Sequence, residues 1–231
     1  MTLLELPIAR RYPPQHPDRL QLYSLPTPNG VKVSIALEEL AIPYEAHRVD
    51  FGSDAQKEPA FLALNGNGKI PAIADPNGPE GLLQLAESGA ILVYLAEQTG
   101  RLWPQQPAAR AQALQWLMFQ MGGIGPMFGQ LGFFHKFAGS AYEDKRPRDR
   151  YVAESRRLLG VLDERLDGRD WMMGSEFTMV DIATFPWIRN LIDFYAAGEL
   201  VGYADFRNVQ RVLESFLARP AVQRGLSIPS A

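Results

Sequence analysis

The sequence predicts a mixed α/β N-terminal domain followed by an all-helical one. Three observations point there. The first hundred residues alternate short apolar runs with stretches of helical spacing. No strand signal of any strength follows residue 105. Beyond it, apolar residues recur at three- and four-residue intervals in several long stretches. At 231 residues, the chain has room for one or two domains.

Residues 1–19 hold prolines and arginines without a useful period and read as an extended arm packed on the body or on a partner chain, or as a mobile tail. Residues 20–25 (LQLYSL) form a short buried strand, and Thr27-Pro28-Asn29-Gly30 is turn chemistry. Val33, Ala36, Leu37 and Leu40 then share one helical face, which Ile42-Pro43 ends. Tyr44–Phe51 reads as a second strand, parallel to the first because a helix connects them. A polar, Gly/Asn-rich stretch over 52–69 contains a helical turn at Pro59–Leu62. Ile70–Ala74 is a short strand whose Pro71 cannot donate to a ladder. Asp75–Pro79 turns, and Gly81–Leu85 returns as a hairpin partner. Ala90, Ile91, Tyr94, Leu95 and Gln98 follow helical spacing up to Thr99-Gly100. The pattern is βαβ, then ββα. A proline-punctuated linker at 102–107 leads into helices over about 108–121, 148–166, from Thr178, and 208–219. The first of these uses Leu114, Leu117, Met118 and Met121 as its apolar face, and Gly122-Gly123-Ile124-Gly125 reads as a break or a close-packing point. Thr178-Met179-Val180-Asp181 has the spacing of a capping box, and Pro186 should kink the helix it starts. The domains are an arm at 1–19, an α/β domain at 20–101 and a helical domain at 108–226.

Composition narrows the chemistry. With 23 basic and 26 acidic residues the net charge is −3, so no general footprint for nucleic acid or anionic membrane exists. No run approaches the 18 apolar residues of a membrane span. Pro7 and Arg10-Arg11 interrupt any leader-like start, so a cytoplasmic location is expected. There is no cysteine, which removes disulfides, thiolate metal sites and a cysteine nucleophile. His16, His47 and His135 are too scattered for a metal site and read as surface or packing histidines.

Three short motifs can carry chemistry. Thr27-Pro28-Asn29-Gly30 opens a helix, where unpaired N–H groups can bind an anion or stabilise a thiolate. Gly68-Lys69-Ile70-Pro71 places an X-Pro bond at a strand start, a favoured position for a cis peptide whose outward N–H and C=O can pair with an extended peptide. Glu87-Ser88 lies where a strand gives way to a helix. There Ser88 caps the helix and can hold a carboxylate, while Glu87 can hold an ammonium group. Read alone, each has a plain folding reading: an N-cap with a turn, an ordinary edge-strand proline, and a helix cap beside a solvated Glu. Together they describe a groove for a short peptide with a thiol and a free α-amino acid end, with Gln56 within reach.

The combination of Lys69-Ile70-Pro71-Ala72-Ile73, Glu87-Ser88-Gly89-Ala90-Ile91 and the Thr178–Asp181 cap resembles the cytosolic glutathione transferases over residues 20–225. The resemblance implies a thioredoxin-like N-terminal domain, an all-α C-terminal domain and a homodimer. Thr27-Pro28-Asn29-Gly30-x-Lys32, Gln56-x-x-Pro59 and the run from Gln120 to Gln130 are similar to the Nu class, which is related to the fungal prion-forming nitrogen regulator. That class is associated with glutathione-dependent reduction of disulfides. Carried over, Thr27 and Asn29 sit by the glutathione sulfur and Gln56 meets the glycine end or a second glutathione. Lys69, Ile70 and Pro71 clamp the backbone, and Glu87 with Ser88 bind the γ-glutamyl head. Arg156 or Arg157 reaches the groove, Arg157 being the assigned one. The expected ligands are glutathione, glutathione disulfide and a small disulfide substrate, with no metal. The alternatives are glutathione conjugation or organic hydroperoxide reduction, with Trp116, Phe119, Met127, Phe133, Phe134 and Phe137 lining an electrophile pocket, and a non-enzymatic glutathione-binding regulator.

Overall fold

In the computed structural model, which describes residues 2–230, the chain runs through fifteen regular elements. The first eight are α1 (Pro7–Arg11), β1 (Leu20–Ser24), α2 (Pro28–Leu40), β2 (Tyr44–Arg48), α3 (Pro59–Leu62), β3 (Ala72–Gly78), β4 (Gly81–Ala86) and α4 (Ser88–Thr99). Seven helices follow: α5 (Pro107–Phe119), α6 (Gly125–His135), α7 (Arg146–Arg165), α8 (Met179–Arg189), α9 (Gly198–Val201), α10 (Arg207–Leu217) and α11 (Pro220–Gly225). Two units separate: the chain up to Thr99 together with Pro220 onward, and Gly100–Arg219.

In the first unit the strands form one sheet in the order β2-β1-β3-β4. β1 and β2 are parallel, with Leu22 opposite Ala46; β1–β3 and β3–β4 are antiparallel. This is the thioredoxin-like arrangement the resemblance implied. The expected turn at Asp75–Pro79 is partly strand, since β3 continues to Gly78 through an irregularity between Asp75 and Gly78. The second strand stops at Arg48, three residues before the expected end, and a 3₁₀ turn at Phe51–Ser53 follows.

Side chains alternate across the sheet and both faces are covered. Leu22 and Ile73 are fully buried, as are Val33, Ile35 and Leu37 of α2 and Ile91 of α4, which packs on α2. On the other face Tyr23, Ala72 and Ala74 share a core with Leu3, Leu6, Ile8, Ala9, Val49 and Phe61. The N-terminal segment is therefore not an extended arm. It forms a 3₁₀ turn at Leu3–Glu5 and the helix α1, whose Arg11 grips Glu58 ahead of α3 with two hydrogen bonds of 2.6 and 3.2 Å. Four apolar residues at irregular spacing give no period, yet each finds a place in the core. The segment from Pro220 belongs to this unit too. Ser34 Oγ donates to the Gly225 carbonyl at 2.6 Å, and Arg224 meets Glu38 at 2.6 Å.

In the second unit, α5 does not break at the glycines. Gln120–Ile124 form a π turn that runs into α6. The buried residues of α5 and this turn are Ala113, Leu117, Gln120 and Ile124, while Leu114 and Met118 are 44% and 54% exposed. The expected apolar face is thus rotated: hydrophobicity alone selected the bulkier stripe, whereas packing buries the one with the smaller Ala113. α8 is buried from Met179 to Ile188 and keeps Pro186 in its interior.

The capping box at the start of α8 forms as expected. The Asp181 carboxylate accepts from Met172 N–H (2.8 Å), Thr178 N–H (2.8 Å) and Thr178 Oγ1 (2.9 Å). Burial outweighs these bonds and pushes its pKa up to about 6. Asp181→Ala strands three buried donors and should cost about 3 kcal/mol in denaturant melts. The folded pKa exceeds the unfolded value near 3.9, so the native state holds the extra proton. This group therefore lowers stability as pH rises from about 4 to about 6, a slope that the variant should lack.

Candidate functional site

The site is laid out by one row of the sheet. Tyr23 of β1 lies opposite Ala72 of β3, and Ala72 lies opposite Ala86 of β4. At this row β1 is about to end, β3 has just begun and β4 ends. The chain segments that leave the sheet here are Leu25–Gly30 into α2, Gly68–Pro71 ahead of β3, and Glu87-Ser88 into α4. The sheet register therefore brings the three sequence motifs to one edge.

A groove of about 170 Å³ lies there, lined by Asn29, Asn65, Asn67, Lys69, Ile70, Pro71, Glu87 and Ser88. It is sized for a head group rather than for a whole drug-sized ligand. On its α2 side, Thr27 is the N-cap, its Oγ1 accepting from Gly30 N–H at 3.3 Å, and Pro28 takes the first helical position. Asn29 follows, half-buried. Gly30 is set by close approach: a Cβ there would lie 1.9 Å from the Leu25 carbonyl oxygen and 2.5 Å from Ser24 Oγ. Ile70-Pro71 is cis, as the sequence suggested. The loop before it is stapled by Asn65, whose Nδ2 donates to the Lys69 carbonyl at 2.7 Å and whose Oδ1 accepts from Asn67 N–H at 3.1 Å.

On the α4 side one detail differs from expectation. Ser88 is the first helical residue, and Glu87 occupies the cap position, its carbonyl accepting from Ile91 N–H at 3.0 Å. Glu87 is in the left-handed region at φ 69°. That conformation is uncommon for a side chain of this size and typical of residues held in place at a binding site. Glu87 is exposed and Ser88 is buried.

Sequence reasoning missed three residues. Asn65 and Asn67 line the groove, although their only signal was turn composition. Lys32 lies behind the wall: it is fully buried, and its Nζ donates to Ser88 Oγ at 3.3 Å. Desolvation lowers its pKa to about 7 against the opposing pull of Glu87.

Not every expected residue meets in this groove. Gln56 lies in a 3₁₀ turn, its Nε2 bound to Asp54 Oδ1 at 3.3 Å; it does not line the groove, although its main-chain oxygen approaches Gly68. In the second unit, Arg156 donates to the Val201 carbonyl (3.1 Å) and Asp205 (2.7 Å). Arg157 pairs with Glu154 at 2.7 and 2.9 Å and, with Arg150, Tyr151 and Met127, lines a separate groove of about 730 Å³. The six residues expected to form an electrophile pocket divide. Trp116 packs edge-on to Phe119, Phe133 to Phe134, and Phe137 to Tyr195, leaving Met127 in the groove. His47 is a packing histidine, stacked 4.8 Å from Tyr23 and bonded to Gln21 at 2.7 Å. Among the described residues, no group of three or more His, Cys, Asp or Glu is placed to hold a metal ion, and no helix is long and apolar enough to cross a membrane.

Residues 27–98 match the model of the glutathione S-transferase N-terminal domain, and residues 124–220 that of the C-terminal domain. The disulfide-bond oxidoreductase YfcG of Escherichia coli is 43% identical over 171 residues, covering 73% of this chain and 79% of the relative. The chain belongs to the glutathione S-transferase family. Two solved glutathione transferases are similar to this glutathione S-transferase over nearly their whole length. That of Pseudomonas putida, with one glutathione disulfide bound per subunit, is 65% identical with a TM-score of 0.97, covering 99% of this chain and 100% of the other. That of Burkholderia graminis, with two glutathione molecules per subunit, is also 65% identical with a TM-score of 0.97, covering 100% and 98%.

The fit around Gly30 gives a direct test of how the transferase groove is built. A methyl group there meets a backbone oxygen that cannot yield without moving the β1–α2 connection. Gly30→Ala should lower stability by about 3 kcal/mol in a denaturant midpoint, at the upper end of overpacking costs.

Proposed function

We propose that this protein is a glutathione-dependent disulfide-bond reductase that draws both electrons from bound glutathione. One observation carries the reading. In a chain without cysteine, Asn29 at one helix start, Ile70-Pro71 ahead of a strand, and Glu87-Ser88 at a second helix start line a single groove. The bound disulfide in the Pseudomonas putida protein, the glutathione pair in the Burkholderia graminis protein and the name of the Escherichia coli relative support it.

Each group then has a task. Ser88 donates to the α-carboxylate of the γ-glutamyl head, and the exposed Glu87 takes its ammonium group. Ile70 pairs with the peptide backbone, and Lys69 and Pro71 shape the wall. The sulfur lies at the start of α2, where the partial positive end of the helix, Thr27 and Asn29 favour the thiolate. Gln56 contacts the glycine end of the ligand or a second glutathione. The thiolate attacks one sulfur of the substrate disulfide, breaking its S–S bond, forming a mixed disulfide and releasing a thiolate that takes up a proton. A second glutathione thiolate attacks the glutathione sulfur of that mixed disulfide and releases the other half of the substrate. Two thiols are oxidised to glutathione disulfide, and one disulfide is reduced to two thiols. The protein contributes thiolate stabilisation and alignment rather than a redox centre. The reaction takes place in the cytoplasm, on a small disulfide, in a homodimer.

Asn29→Ala should lower kcat/KM for bis(2-hydroxyethyl) disulfide with glutathione about ten- to a hundredfold, the value of one charge-assisted hydrogen bond. Unchanged turnover would remove Asn29 from the mechanism. Parallel assays with an aryl halide and an organic hydroperoxide should show slower turnover than the disulfide; a faster rate with either would assign conjugation or peroxide reduction instead. Retention on immobilised glutathione without any turnover would point to a binding module. Glu87→Gly should separate binding from folding. Removing the left-handed side chain stabilises the fold by about 0.5–1 kcal/mol. Loss of the carboxylate should weaken glutathione binding about tenfold or more.

A further inference from the structure

The reading above leaves Lys32 without a task, although burying an ammonium group is costly and rarely done without a partner. Asn29 and Lys32 are three residues apart on α2 and share one helix face. Asn29 lines the groove. Lys32 is fully buried one layer deeper, and its Nζ reaches across to Ser88 Oγ at the start of α4. An ammonium group only donates, so this bond occupies a Ser88 lone pair and leaves the hydroxyl hydrogen to be given elsewhere.

We propose that Lys32 is a positioning residue for the ligand head group: from behind the wall its ammonium holds Ser88 as a donor toward the ligand carboxylate and balances that carboxylate's charge. The proposal rests on the assignment of the groove to glutathione and adds a residue and a proton linkage to it. The electrostatic setting is simple. Burial lowers the Lys32 pKa, and the charge of Glu87, at the head of α4, raises it. Of the other elements packed on α2, α11 brings Arg224, which is tied to Glu38. α4 brings Glu97, exposed near its far end. The titratable side chain of β1, Tyr23, lies on the opposite face of the sheet, in the core with Leu3, Leu6 and Ile8.

The sign of the linkage follows. Burial holds Lys32 near pKa 7. A carboxylate seated on Ser88 favours the charged form and raises that value. The bound protein therefore holds more protons than the free one just above neutrality. Ligand uptake is accompanied by proton uptake, and affinity falls as pH rises through this window by at most tenfold per unit.

The test uses the full-length protein and S-methylglutathione, whose blocked thiol cannot titrate. Calorimetry at pH 7.5 in two buffers of different ionisation heat measures the protons taken up. The wild type should take up roughly half to three-quarters of a proton per subunit, from the occupancy a pKa near 7 implies. Lys32→Met, which replaces a buried charge by an apolar chain of similar length, should fold at least as well. It should bind about tenfold more weakly at pH 6.5 and take up no proton. In a Ser88→Ala background the same change should matter less than threefold, because Lys32 acts through Ser88. Wild-type binding without proton uptake, or full multiplication of the two effects, overturns the role of Lys32 and leaves the groove assignment standing. Absence of binding by the wild type overturns both. If Lys32→Met fails to fold, proton uptake by the wild type and by Ser88→Ala decides: uptake must be present in the first and reduced in the second.

Discussion

The site depends on the register of one row of the sheet, Tyr23 opposite Ala72 opposite Ala86. The strand ends at that row determine where α2 starts, where the Ile70-Pro71 segment arrives and where α4 starts. A slip of one residue in any pairing would turn the strand's buried side chains to the other face. Here that would exchange Tyr23 with Leu22, or Ala72 with Ile73, between two cores of different shape. The row is thus held by the packing of both faces, and the groove inherits its geometry from residues that never touch it.

Both faces must be closed for that argument to work, and the chain closes them with its two ends. The N-terminal segment supplies Leu3, Leu6, Ile8 and Ala9 to the Tyr23 side. Pro220–Gly225 packs on α2 on the other, where Gly225 comes so close to Ile35 that a Cβ would lie 2.7 Å from its Cα. α2, buried along its length, is fixed by sheet and terminal helix together. It therefore presents Thr27, Asn29 and Lys32 with little freedom, the condition under which alignment of a thiol contributes to rate.

Much of this was legible in the residues, because the groove is made where backbone chemistry is most explicit. Thr27-Pro28 announces a helix start, Ile70-Pro71 a strand that cannot begin in the usual way, and Ser88-Gly89 another helix start. The sheet order then brings them together. The missing parts have no local signature. α1 is five residues long, too short for a period. α5 carries two competing apolar stripes, and only tertiary packing selects Ala113 and Leu117 over Leu114 and Met118. The cap position is Glu87 rather than Ser88 because Glu87 takes the left-handed conformation ahead of α4, a choice that sequence preference argues against for a residue of this size. Lys32 sits in a helix whose neighbours are apolar, where a lysine is ordinarily expected to reach water.

Among the described residues each unit buries one charged side chain completely, Lys32 in the first and Asp181 in the second, and the contrast between them is informative. Asp181 meets two backbone N–H groups and a hydroxyl, all within its own helix start and the turn before it. Its environment is closed, and its charge serves the cap. Lys32 has instead been placed against a serine that lines the groove. A charge needed only for folding gains from being enclosed, since every exposed approach invites water to compete for its partners. A charge set one layer behind a groove lies close enough to feel an anion arrive, yet is shielded enough from solvent for that arrival to matter. That position is what makes the lysine's protonation respond to occupancy, while the aspartate's responds only to folding.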